Sequence, residues 1–162
     1  DAGAGASTFG PSIARLRPDL LWTNLDPAYA DQAALSALQE TAPDNVSFVS
    51  GSMLEAAETF ANRSFQRVFS FFAINYLREN TREAVRQLMK VAEPAGQLAL
   101  GKFWVAEGRS SGQCTMTFSP GEFSGAKEAL VLDAIDPPGG RFGVPPVPGI
   151  EYSPVIGDDS VR

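Results

Sequence analysis

Apolar and polar positions change period repeatedly along the first hundred residues. Over 8–16, Phe9, Ile13 and Leu16 recur at helical spacing, and Pro11 is tolerated in the first turn. Pro18 closes that helix. The run "LLWTNLD" (20–26) predicts a short buried strand. Asp26 and Pro27 then form an N-cap acid with proline at the first helical position. The predicted helix reaches about Gln39, with Ala30, Ala33, Ala34, Ala37 and Leu38 on its packed face. "NVSFVSG" (45–51) predicts another strand, and a short helix follows over 54–61. "FQRVFSFFAINYL" supplies a strong strand at 67–72. Asn80 and Glu83 have capping-box spacing, and Val85, Leu88, Met89 and Ala92 line one face of the helix behind them. "EPAG" is a turn, and 97–103 is a strand. Strands and helices alternating at this spacing predict a parallel sheet covered on both faces, with right-handed crossovers.

After Trp104 the character changes. Seven of the 12 prolines and nine of the 15 glycines lie from Val105 onward, so this part is expected to be irregular. Within it, Ser119 and Glu122 have capping-box spacing and open a predicted helix reaching about Asp133. "ALVLDAI" also suits a strand, and periodicity does not choose between the two. "DPPGGRFGVPPVPGIEYSP" reads as a partly extended loop. The expected contribution of 104–162 is the outer strands of the sheet or a cover over a substrate site.

Composition narrows the function. The 162 residues suit a single domain, with 1–103 as its ligand-binding core, and 44% apolar residues allow a sizeable interior. No apolar run approaches the roughly 18 residues of a membrane span, and no signal-peptide pattern is visible. Cys114 alone builds no disulfide framework, which fits a reducing, cytoplasmic setting, and it reads as an inert thiol. The net charge of −6 disfavours non-specific nucleic-acid binding. Histidine is absent, which removes the commonest general base and metal ligand, and no metal site is expected.

The candidate chemistry begins at the first residue. "DAGAGASTFG" carries Gly3 and Gly5 in a D-x-G-x-G frame directly before a predicted helix. Bare backbone there allows a ligand to approach closely, and the helix start favours an anionic group. A dinucleotide fingerprint wants a third glycine or alanine, but Thr8 stands in that place. Asp1 ahead of the glycines would repel a pyrophosphate and suit a ligand bearing an ammonium group.

This arrangement resembles the first motif of the class I S-adenosylmethionine-dependent methyltransferases. The resemblance continues through Asp26 at the end of "LLWTNLD", "SGSM" with Ser52 where that family usually has Asp, the apolar-aromatic "SFFAINYL", and "VAEPAGQLALG" as a loose copy of the family's Leu-Lys-Pro-Gly-Gly turn. It covers residues 1–103 and implies a Rossmann-like three-layer α/β sandwich with a mostly parallel sheet. In that family a central apolar strand precedes the D-x-G-x-G motif. Nothing precedes Asp1 in this chain, so the first strand is expected to be missing and the native protein to extend further.

The resemblance assigns cofactor roles to Asp1, Gly3, Gly5, Asp26, Pro27, Ser52, Met53 and Phe71. Asp1 would orient the amino-acid end of S-adenosylmethionine, and Asp26 would accept hydrogen bonds from the ribose hydroxyls. Ser52 and Met53 would meet the adenine. Phe71 and Phe72 read as core or cleft wall, and Trp22 and Trp104 as core. Asn75 and Tyr76 are substrate-side candidates, with a solvated loop as the alternative. The expected activity is methyl transfer to a small-molecule acceptor. A nicotinamide-dependent oxidoreductase and a non-catalytic binding module remain open, and the sequence assigns neither a catalytic base nor an oligomeric state.

Overall fold

The computed structural model describes residues 1–61, 64–105, 111–135 and 147–155, without the side chains of 102–105, 111–114 and 152–155. The first hundred residues alternate as the pattern predicts. The elements are α1 (Phe9–Leu16), β1 (Trp22–Leu25), α2 (Gln32–Thr41), β2 (Val46–Val49), α3 (Ala56–Thr59), β3 (Phe65–Phe71), α4 (Thr81–Val91) and β4 (Ala92–Val105). Three more follow: β5 (Ser111–Phe118), α5 (Glu128–Ile135) and β6 (Glu151–Val155).

The strands form two sheets, β1-β2 and β3-β4-β5-β6. Pairs β1-β2 and β3-β4 are parallel, and the two outer pairs are antiparallel. The first residues join the sheets. Leu25 N–H donates to Asp1 O and Gly3 N–H to Leu25 O, both at 2.8 Å, while Ala2 N–H reaches Phe69 O at 2.8 Å. Ala2 thus makes a parallel bridge to β1 while bonded to β3. The Asp1 nitrogen donates to Thr23 O at 2.8 Å. Next to this seam the Trp22 and Phe69 rings stack at 5.8 Å and 8°.

The core gathers Val85, Leu88 and Val91 of α4, Leu98 and Leu100 of β4, and Val131 and Ile135 of α5. Arg86 Nε on α4 donates to Glu128 Oε1 at 2.7 Å, and Arg82 donates to Asp133 at 2.8 Å, tying α4 to α5. "ALVLDAI" is therefore helical, and its apolar run is buried by α-helical packing.

Several local expectations are corrected. On α1 the buried residues are Gly10, Pro11 and Ala14, while Phe9 and Leu16 are exposed. The Trp22 indole lies where a Gly10 Cβ would sit, with Cε2 at 2.6 Å, so the small-residue face turns inward. Leu21, inside the run 20–26 expected as a buried strand, is exposed and lies ahead of β1, which begins at Trp22. The single helix expected after Asp26 is instead a 3-10 turn, Pro27–Ala30, followed by α2. Asp31 restarts the helix by accepting from Ala33 N–H at 2.9 Å and Ala34 N–H at 3.2 Å. The restart changes the phase: Ala30, Ala33, Ala34 and Ala37 are exposed, and Leu35 and Leu38 are half-buried.

Neither capping box forms. Asn80 precedes α4 with φ −89° and ψ 1°, not the extended backbone that a capping side chain needs, because a 3-10 segment runs straight into the helix. Glu83 instead accepts from Gln87 Nε2 at 2.8 Å. After Ser119 the chain makes a short 3-10 turn, closed by Glu122 N–H to Ser119 O at 3.1 Å. The expected "EPAG" turn is absorbed into β4, whose extra residues between Ala92 and Gln97 bulge opposite Phe65 and Arg67 of β3. Of the expected loop from Asp136 to Pro154, residues 136–146 lie outside the described residues, and its end is strand β6. The side chains of Trp104 and Cys114 also lie outside them.

A contrast between two leucines tests this packing. Leu98 is fully buried and Leu21 is 91% exposed. Leu98→Ala is expected to cost about 2–5 kcal/mol, and Leu21→Ala no more than about 0.5 kcal/mol. Equal losses in urea denaturation would contradict the placement of β4 at the centre.

Candidate active site

The candidate site forms where the N-terminal turn meets the ends of β1 and β3. Gly3 and Gly5 have φ of +76° and +53°, which only glycine adopts without penalty. At Gly3, space matters too: a Cβ would collide with the Ala73 side chain and stand 3.1 Å from Met53 Cε. At Gly5, a Cβ would meet only Asp26 Oδ2, at 4.0 Å, so the backbone there faces open space.

Between this turn and the end of β3 lies an open cleft of about 350 Å³, lined by Asp1, Gly3, Ala4, Ser7, Phe9, Phe71 and Phe72. That volume lies within the range of small-ligand sites, roughly 300–1,000 Å³. Phe72 takes φ +64°, an unusual conformation for a bulky residue. Its N–H is held by Gly101 O at 2.9 Å. Backbone strain of this kind gathers at ligand sites.

Asp26 organises the other side of the turn. Its Oδ2 accepts from Gly5 N–H and its Oδ1 from Ala28 N–H, each at 2.8 Å. An ionised carboxylate offers about four acceptor positions, so about two remain for a ligand's hydroxyls. The Tyr29 hydroxyl donates to Gly5 O at 2.7 Å. Burial, and then the neighbouring Asp26 charge, push the Tyr29 phenol up to about 12. It is therefore a protonated donor at neutral pH.

The structure brings Asp1, Gly3 and Phe71 into one cleft and ties Gly5 to Asp26. Pro27 is exposed at the first position of the 3-10 turn. Ser52 caps the turn Met53–Glu55, its Oγ accepting from Leu54 N–H at 3.2 Å. Met53 is buried beneath Gly3, its sulfur 3.4 Å from Ser70 Oγ. Asn75 is half-buried and Tyr76 is 86% exposed, and neither lines the cleft. Sequence reasoning missed Ala4, Ser7 and Phe9 on the cleft wall, and Tyr29 beneath the turn. The signal for Tyr29 is its place three residues after Asp26 in a turn opened by Pro27.

Among the described residues, no group of three or more His, Cys, Asp or Glu is placed to hold a metal ion. No helix among them is long and apolar enough to cross a membrane.

Comparison with known proteins fits this arrangement. The family model described as "Methyltransferase domain" matches residues 1–100, and the chain belongs to that family, the class I S-adenosylmethionine-dependent methyltransferase domains. S-adenosylmethionine is the methyl donor of the family. No match was found among curated proteins. Solved structures with a similar fold include an O-methyltransferase family protein from Burkholderia thailandensis (20% identity, TM-score 0.50, covering 62% of this chain and 31% of that one). A second is the YcgJ protein of Bacillus subtilis (25% identity, TM-score 0.51, covering 67% and 44%). A third is a 16S rRNA adenine-N1 methyltransferase from Catenulisporales acidiphilia (18% identity, TM-score 0.51, covering 64% and 54%). The chain thus spans between about a third and about half the length of these relatives. The fold is the expected Rossmann-like α/β fold, with its sheet in two parts.

Two tests address the Asp26–Tyr29 arrangement. Asp26→Ala removes a helix cap, worth about 1 kcal/mol, and the charged acceptor of Gly5 N–H, worth roughly 1.5–3 kcal/mol. The expected loss in urea denaturation is about 2.5–4 kcal/mol, and a loss below about 0.5 kcal/mol would mean that the carboxylate does not hold the turn.

The second test uses alkaline pH. The folded Tyr29 phenol titrates at about 12 against an ordinary value of 10.0, so the folded state binds more protons between those values. Stability from this group is complete below pH 10 and is lost as pH rises towards 12. Tyr29→Phe is expected to flatten that loss in denaturation curves taken across the window.

Proposed function

We propose that the cleft binds S-adenosylmethionine and that the whole protein transfers its methyl group to a small-molecule acceptor. The observation that carries this reading is the Gly5 turn: bare backbone facing open space, with a carboxylate behind it that keeps free acceptor positions. In this reading Asp1 faces the cofactor's ammonium group and Asp26 accepts from the ribose hydroxyls. Gly3 and Phe71 form the wall, Gly5 shapes the turn beside it, and Pro27 and Ser52 fix the turns around it. Met53 acts from below, packed under Gly3. Asn75 and Tyr76 belong to the acceptor side, on the segment after β3.

S-adenosylmethionine supplies a methyl carbon activated by a positively charged sulfur. The residues of this chain then have to bind, orient and exclude water, effects that reach roughly 7–11 kcal/mol in favourable cases. The aromatic walls Phe9, Phe71 and Phe72 suit that task, since a drier site strengthens the interactions within it. These 162 residues hold no histidine, so for an acceptor that must lose a proton the base is a carboxylate or phenol of this chain, or a group outside it. An already nucleophilic acceptor needs none.

The similar structures include both an O-methyltransferase family protein and an rRNA methyltransferase, so the fold leaves the acceptor open. The net charge of −6 favours a small molecule over RNA.

Calorimetry on the full-length protein with S-adenosylhomocysteine and NAD tests the cofactor. Binding of S-adenosylhomocysteine and not NAD is expected; the reverse overturns the reading. Labelled-methyl transfer to ribosomal RNA, with none to small phenols or amines, would overturn the acceptor class.

A further inference from the structure

Gly5 is held at both ends of its own residue. Asp26 Oδ2 accepts its N–H at 2.8 Å, and Tyr29 donates to its C=O at 2.7 Å. Both side chains come from one short segment, and the same Asp26 builds that segment. Its second oxygen takes Ala28 N–H at 2.8 Å and caps the 3-10 turn Pro27–Ala30, on which Tyr29 sits. Tyr29 is only 2% exposed, and its ring packs edge-on against Phe48 of β2 at 5.4 Å and 89°. Tyr29 thus reaches the glycine turn from a fixed base in the neighbouring sheet.

Gly5 needs this hold. Its positive φ is one of many conformations glycine visits freely, so the turn's shape is not set by its own residues. A backbone that must be ordered at the moment of binding loses affinity to that ordering, and one ordered beforehand does not. We propose that Tyr29 is a positioning residue for the cofactor turn. Its hydroxyl and the Asp26 carboxylate clamp Gly5 from both ends and preset the backbone over which the methyl donor lies. This rests on the reading of the cleft as an S-adenosylmethionine site. Tyr29 does not line the cleft and acts only through Gly5.

The test compares Tyr29→Phe with Val131→Ala in the full-length protein. Tyr29→Phe keeps the ring and its packing on Phe48 but removes the donor to Gly5. Val131 is fully buried in α5, away from the cleft, so Val131→Ala reports what general destabilisation does to binding. S-adenosylhomocysteine affinity is read by calorimetry, and hydrogen exchange is read over residues 1–10 without ligand. Tyr29→Phe is expected to weaken binding on the order of tenfold and to speed exchange at the glycine turn. Val131→Ala is expected to lower the melting temperature while leaving affinity and turn exchange as in the wild type. Unchanged affinity in Tyr29→Phe, or an equal loss in Val131→Ala, overturns the positioning role while the cofactor reading stands. Failure of the wild type to bind S-adenosylhomocysteine overturns both.

Discussion

Among the described residues, a backbone seam at residues 1–3 links the two sheets. β1-β2 and β3-β4-β5-β6 share no ladder, and the backbone of Asp1 to Gly3 bonds to Leu25 on one side and to Phe69 on the other. Every polar group in this seam that turned away from its partner would be left unsatisfied in a low-dielectric interior, where that costs most. The cleft depends on the same contacts, because Asp1 and Gly3 line it as well. Fold and candidate site therefore share a single set of hydrogen bonds at this point. The stacked Trp22 and Phe69 rings carry the junction further along the strands with apolar contact in place of a ladder.

The alternation of strands and helices was legible because strand and helix periods differ, and β1, β2, β3, α4 and β4 fall where the pattern puts them. What was not legible depended on partners distant in the chain. Phe9 and Leu16 have helical spacing, yet the face that packs is Gly10, Pro11 and Ala14, because Trp22 needs the room. The alanines of α2 looked like a buried stripe until Asp31, a second cap five residues after the first, reset the helix. The capping boxes failed for a local reason that single-residue preferences miss: the residues ahead of α4 are already helix-like.

The site was half legible. The glycine frame and Asp26 could be found because their spacing along the chain mirrors a turn and a strand end. Tyr29 was missed: its place three residues after Asp26 marks it as part of the turn, but its partner is a carbonyl 24 residues earlier. Nor did the sequence show that Met53 would turn inward beneath Gly3 while Ser52 spends its oxygen on a cap. Residues with a structural job around the site are the ones that sequence motifs describe least well, because a motif records who is present and not what each one is already bonded to.

Two glycines outside the cofactor turn act as sockets for aromatic rings. A side chain at Gly10 would occupy the space of the Trp22 indole, and one at Gly101 would come within 2.7 Å of Phe71 Cδ1. Each ring is part of the aromatic series running from Phe9 through Trp22 and Phe69 to Phe71. Such pairs constrain each other's volume. A descendant that gains bulk at position 10 or 101 must give up the ring opposite it, and one that shrinks the ring first opens a void that only a larger neighbour refills. Among related genes, positions 10 and 22, and positions 101 and 71, should therefore trade volume in opposite directions, a record of this junction written in the pairing of substitutions.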